Sequence, residues 1–194
     1  MKIYTLNPTY QFGSNCYVIE NGNERAMIDP SVNPNLPAYE NLKLKYIILT
    51  HTHFDHMLFI DEWLEKSGAE LIVGVNDTLG LTDSTVNCYK FFLNRDKTYR
   101  GKYKTVKEGD TLSLGDKQLK FIDVPGHTSG SVAIIADEAV FVGDVVFSRG
   151  SYGRTDLPGG NYETLCKSIA KISSLPKNFM IYPGHGKPTT VGDI

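Results

Sequence analysis

The chain has 194 residues, 41% of them hydrophobic and 22% charged, a balance that supports a buried core and argues against disorder, so one domain over residues 1–194 is expected. A net charge of −2 offers no broad basic face for a phosphate backbone, and no segment approaches the ~20 apolar residues needed to span a bilayer; neither nucleic acid nor a membrane is expected as a partner. Cys16, Cys88 and Cys166 form neither a CxxC pair nor a disulfide framework, which fits a reducing, cytoplasmic setting with each thiol acting as a small buried hydrophobe.

Short strands are predicted at 2–6, 16–20 and 25–28, with Asn21-Gly22-Asn23 as the turn between the latter two. Asp29-Pro30 closes the third strand and taken alone is a plain turn. A helical stretch is expected over 38–42. The run 46–50 then reads as a strand buried on both faces, leading into His51. Met57, Ile60 and Leu64 have helical spacing, with Gly68 placed as a stop.

A strand at 71–73 follows, then short helices near 78–81 and 86–93 in a segment suited to covering substrate. The basic run from Arg95 to Lys107 reads first as a solvated loop and second as a landing strip for an anion. Strands return at 111–114, 118–124, 131–136 and 139–142, joined by tight turns at Gly115-Asp116 and Asp137-Glu138. Asn161 caps a helix carrying Leu165, Ile169 and Ile172 and ended by Pro176, and 179–182 is the last strand.

All five histidines follow apolar, strand-like runs: His51, His53 and His56 after 46–50, His127 after 121–124, and His185 after 179–182. A fourth run, 139–142, ends at Gly143-Asp144. Polar groups delivered to strand ends are where layered α/β folds collect their sites. Imidazole with carboxylate suits zinc, iron or manganese, and five histidines exceed one tetrahedral site, so two divalent transition-metal ions, zinc foremost, are the natural count. In an extended segment His51 and His53 project to one side and can share an ion, while Asp55 and His56 reach a second.

The ordered set His-x-His-x-Asp-His (51–56), Gly-His-Thr (126–128), Gly-Asp (143–144) and Gly-His-Gly (184–186) resembles the signature of the metallo-β-lactamase superfamily. That resemblance implies an α/β fold: a four-layer αβ/βα sandwich of two mixed sheets flanked by helices. It implies His51, His53 and His127 on one metal, Asp55, His56 and His185 on the other, and Asp144 between them, with Asp55 and Asp144 as the catalytic carboxylates; it also often implies an Asp at a strand end near the site, which weighs evenly for Asp29 against the plain turn. Such a centre supplies an activated water, so neither a serine nor a cysteine nucleophile is required.

Within the superfamily, His53 stands where diiron flavoproteins place a glutamate, and true β-lactamases usually carry Cys or Ser where Asp144 stands. The stretches 50–56, 125–130 and 153–159 are most similar to glyoxalase II-like hydrolases, implying cleavage of a small-molecule thioester such as hydroxyacylglutathione or another acyl-thiol. The carboxy-terminal helical region that helps longer members hold glutathione has no counterpart after His185, which leaves substrate holding to 76–100 and 147–160. Arg149, Tyr152 and Arg154 are candidates for an anionic tail, although Arg154 is expected to pair with Asp156. Persulfide dioxygenases share a similar Gly-Arg-Thr-Asp stretch, and by that resemblance a single ferrous iron would sit on His51, His127 and Asp144.

Overall fold

A computed structural model describes residues 1–6, 8 and 10–194. Each half of the chain makes one six-stranded mixed sheet. The first contains β1 (Lys2–Leu6), β2 (Cys16–Asn21), β3 (Glu24–Ile28), β4 (Tyr46–Ile48), β5 (Glu70–Gly74) and β6 (Lys104–Val106), paired in chain order. β7 (Thr111–Leu114), β8 (Lys117–Asp123), β9 (Val132–Ala136), β10 (Ala139–Gly143), β11 (Met180–Pro183) and β12 (Thr189–Thr190) likewise pair in order to form the second. β3 to β6 run parallel, as do β10 and β11, and the other pairs are antiparallel.

The period of two along a strand divides the core into layers. In β4, Tyr46 and Ile48 join the cluster between the sheets, whereas Ile47 and the following Leu49 face the outer layer. That is why this strand reads as a continuous apolar run. The outer layer is closed by α1 (Ile60–Ser67), which buries Ile60 and Trp63 on the first sheet; the Trp63 indole N–H donates to the Val32 carbonyl at 2.8 Å. Two short helices follow, α2 (Leu79–Thr82) and α3 (Tyr89–Leu93), the second of which borders the site through Phe92, and α4 (Tyr162–Ser173) buries Leu165 and Ile172 on the second sheet. The Asn161 side chain caps α4 by accepting from Thr164 N at 2.9 Å, and Gly68 ends α1 at φ 65°. The result is the expected αβ/βα sandwich. No helix of the described residues is long and apolar enough to cross a membrane.

Several local expectations are corrected. The helix sought at 38–42 is a single 3-10 turn, Pro37–Tyr39, started by a proline that presets φ. α1 starts at Ile60 rather than near Met57, because Phe54–His56 winds into its own tight turn. The basic run is not simply a solvated loop: its end is edge strand β6, where Lys104 bonds Glu70 at 2.8 Å and puts a charge on the exposed edge. Cys16 and Cys88 are buried as expected, but Cys166 is exposed on α4.

Candidate metal centre

Four strand ends converge at one rim of the sandwich: β4 delivers His51, β8 leads to His127, β10 to Asp144 and β11 to His185. The tight turn Phe54–His56 swings Asp55 and His56 back beneath His51, whose ring centroid lies 4.0 Å from that of His56. All seven residues expected from the sequence are brought together. Donor atoms of His51, His53 and His127 lie within 4.8 Å of one another, as do those of Asp55, His56 and His185, and those of His51, His56 and Asp144. Asp144 stands between the first two sets: its Oδ1 is 3.3 Å from His56 Nε2, and its Oδ2 is 3.5 Å from His185 Nε2 and 3.7 Å from His127 Nε2.

Hydrogen bonds on the outer nitrogens fix the tautomers. His127 Nδ1 lies 2.7 Å from the Arg154 carbonyl, which can only accept, so Nδ1 carries the proton and Nε2 turns a lone pair inward. His56 Nδ1 likewise donates to Asp29 Oδ2 at 2.8 Å. The Thr50 hydroxyl donates to Asp29 Oδ2 at 2.8 Å and is left to accept from His51 Nδ1 at 3.1 Å. Asp29 is therefore a site-positioning residue and not a plain turn. It orients two histidines from a left-handed backbone conformation (φ 54°), which costs about 1 kcal/mol for a residue with a Cβ.

The inward atoms are unsatisfied: among the described residues, the Nε2 atoms of His51, His53 and His56 and Oδ1 of Asp144 are buried without a hydrogen-bond partner. Buried polar atoms rarely go unpartnered, and aligned lone pairs of this kind suit a cation. The electrostatics agree. Burial, with His56 and His127 nearby, holds His51 well below its ordinary pKa, and burial beside His127 lowers His53 to about 3, so both present neutral lone pairs. Burial opposes charging of His56 too, but Asp29, Asp55 and Asp144 override it and raise the pKa. For His185 burial is again opposed, here by the hydrogen bond to Asp55, and the net shift is upward. Burial would raise Asp144, yet His56, His185 and His127 draw it below the usual carboxylate range. The carboxylates thus demand positive charge at the half of the site where the second metal is expected.

Two glycines make this approach possible. A Cβ on Gly184 would overlap Asp144 Oδ1 and His56 Cε1, and one on Gly153 would overlap the Asp144 carbonyl.

Three positioning residues were not singled out from the sequence. Asp77, buried just beyond β5, accepts from Thr52 N at 2.6 Å, Thr52 Oγ1 at 2.9 Å and Gly130 N at 3.2 Å, tying the loop between His51 and His53 to the second sheet. Asn15 Nδ2 donates to the carbonyls of Pro183 at 3.0 Å and Gly186 at 2.9 Å, and the Tyr17 hydroxyl donates to Pro183 O at 2.6 Å; together they clamp the loop carrying His185. An Asp three positions beyond the end of a buried strand is the signal that marks Asp77. Arg154 pairs with Asp156 through two bonds of 2.7 Å, as expected, while its carbonyl holds His127. Cys88 borders the cavity over the site, and burial, reinforced by Asp55, pushes its thiol up to about 11.

The sequence profile of the metallo-β-lactamase superfamily matches residues 9–185. Hydroxyacylglutathione hydrolase GloC of Haemophilus influenzae is 33% identical over 195 residues, covering 95% of this chain and 91% of that protein. The crystal structure of BLEG-1, described as a B3 metallo-β-lactamase, superposes with a TM-score of 0.90 at 29% identity, covering 99% of this chain and 95% of that one. TTHA1623 in a di-iron-bound form gives a TM-score of 0.83, also at 29% identity, over 99% and 96% of the two chains. With its two-sheet sandwich, its converging histidines and aspartates and a profile match over most of its length, the chain belongs to the metallo-β-lactamase superfamily.

Proposed function

We propose that the protein is a metal-dependent hydrolase that cleaves an acyl thioester, hydroxyacylglutathione or another acyl-thiol, at a dinuclear centre. His51, His53 and His127 would hold one ion, Asp55, His56 and His185 the other, and Asp144 would bridge them. The observation that carries the reading is the set of buried, unpartnered donor atoms on His51, His53, His56 and Asp144, of which His53 and Asp144 line a cavity of about 510 Å³. Bound divalent ions supply Lewis acidity, lowering the pKa of a coordinated water towards about 7 and polarising the substrate carbonyl. The similarity to TTHA1623 supports two ions, and either zinc, iron or manganese suits these donors.

The chain's own contribution is orientation and charge. Asp29 and the Arg154 carbonyl hold the outer Nδ1 groups of His56 and His127 and so aim their Nε2 atoms into the site, and Asp55 and Asp144 supply the carboxylate oxygens that favour cations there. In the net reaction water adds its oxygen to the acyl carbon as the C–S bond breaks, giving a carboxylate, a thiol and a proton. Apart from Asp55 and Asp144, no carboxyl group lines the cavity among the described residues. A thiol leaving group, with a pKa near about 8.5, needs no strong general acid, and the similarity to GloC points the same way.

The similarity to BLEG-1 favours a second reading, opening of a β-lactam ring. That reaction expels an amine, which must be protonated, and the chain places Asp144 where true β-lactamases usually carry Cys or Ser; thioester cleavage therefore ranks first.

The test is metal stoichiometry on anaerobically purified protein, followed by turnover of thioesters and of nitrocefin with and without oxygen. Two ions per chain and oxygen-independent thioester cleavage are expected. One iron per chain with oxygen uptake on glutathione persulfide would replace the hydrolase reading with persulfide oxidation, and nitrocefin turnover exceeding that of every thioester would favour the β-lactam reading.

A further inference from the structure

The cavity over the histidines is more apolar than hydrolysis requires. Phe12, Phe54, Phe92, Phe147, Tyr152 and Leu157 wall it. Phe12, Phe92 and Tyr152 remain 55%, 44% and 48% exposed, so large rings stand half in water around the mouth. Phe92 stacks on buried Phe54 with centroids 5.3 Å apart, which continues the apolar wall inward to the loop holding His53 and Asp55. Clustered exposed apolar surface beside a polar centre marks a ligand-binding groove.

Charge is sparse on these walls. Among the described residues Arg154 is the one guanidinium or ammonium lining the cavity, and both of its bonds to Asp156 are 2.7 Å long. Its Cζ lies 6.0 Å from the Phe92 centroid, so the ion pair lies against the aromatic wall. Asp156 already occupies Nε and Nη2 of this guanidinium, so an anionic substrate would have to compete with it for the fork.

We propose that this cavity seats an uncharged aromatic or aliphatic acyl arm, making the preferred substrates thioesters of apolar acids with uncharged thiols over those of a multiply charged thiol such as glutathione. This rests on the hydrolase reading for its reaction, in which the acyl C–S bond is replaced by C–O with water as the oxygen source. The cavity volume of about 510 Å³ falls within the range that encloses a small organic ligand.

The test uses the full, zinc-loaded chain and N-acetylcysteamine thioesters of acetate, butyrate, hexanoate and phenylacetate, with the glutathione thioester of phenylacetate alongside. The expected result is a kcat/KM that rises about two- to fourfold per added methylene, the increment for burying a CH₂ group. Phenylacetyl-N-acetylcysteamine should be turned over at least as well as its glutathione counterpart. Phe92→Ala should flatten the series and Phe92→Leu should keep most of the slope; because Phe92 is half exposed, both are expected to fold.

A flat or falling series, or a higher kcat/KM for the glutathione thioester than for its N-acetylcysteamine counterpart, overturns the proposal. If no thioester is cleaved, the reaction reading fails and the cavity is judged alone by fluorescence binding of the neutral probe N-phenyl-1-naphthylamine. Saturable binding weakened at least fivefold by Phe92→Ala then supports the apolar seat, and no saturable binding overturns it.

Discussion

Removing the Asp77 carboxylate would show how much of the site is held from beneath. In Asp77→Ala the hydroxyl of Thr52 keeps the residue-77 carbonyl, which it already contacts at 3.0 Å, but the backbone N–H groups of Thr52 and Gly130 lose their acceptor. An unsatisfied buried donor costs about 1–3 kcal/mol, so two amount to roughly 4 kcal/mol. For a chain of this length each kcal/mol shifts Tm by about 2–4 °C, so a loss of roughly 10 °C is expected. The measurement is calorimetric unfolding of chelator-treated protein, which removes any contribution from bound metal. Asp77→Asn should lose about half as much, since one oxygen still accepts from Thr52 while the amide faces the Gly130 N–H. A Tm for Asp77→Ala within about 2 °C of the parent would refute the reasoning, as would an Asn variant no better than Ala.

Asp29→Asn should weaken binding at the His56 half of the site by about 10- to 100-fold, the usual cost of losing a carboxylate behind a ligating histidine, as read by competition titration with a chromophoric chelator. Gly184→Ala should cut bound metal to at most one ion per chain, because the new Cβ displaces Asp144 and His56; elemental analysis decides it. Stripping metal from wild-type protein should lower Tm by roughly 5–10 °C, since a ligand present at about 100 times its Kd contributes about 2.7 kcal/mol, and re-addition should restore it. Iodoacetamide at pH 8 should modify exposed Cys166 well before Cys88, whose thiol is pushed up to about 11 by burial, or Cys16, also buried; peptide mapping showing Cys88 modified first would contradict this.

The candidate metal-ligating set is legible because each group of its members follows an apolar run, so strand periodicity and polar punctuation point to the same rim. The sandwich followed from the resemblance those residues carry. What stayed hidden depends on contacts distant in sequence. Asn15 looks like an ordinary loop residue until β11 brings Pro183 and Gly186 beside it, and β6 is a strand because β5 offers it an edge, although its lysines read as solvated. Asp29 could not be separated from a turn until His56, 27 positions later, arrived on its Oδ2. Cys166 is exposed where a small buried hydrophobe is expected, because the sequence shows the apolar stripe of α4 but not how narrow a contact that stripe makes.

Because the strands of the first sheet all precede residue 107 and those of the second all follow residue 110, the ligand set is split between two contiguous stretches of chain. His51, His53, Asp55 and His56 belong to one stretch and His127, Asp144 and His185 to the other. A bound ion would act as a rivet whose two heads are made at different times during synthesis, and high-affinity loading would have to wait until the second stretch leaves the ribosome. Cutting the backbone between Val106 and Thr111 should therefore give two fragments whose reassociation is strengthened by added zinc, a dependence that co-purification of the fragments with and without the metal would reveal.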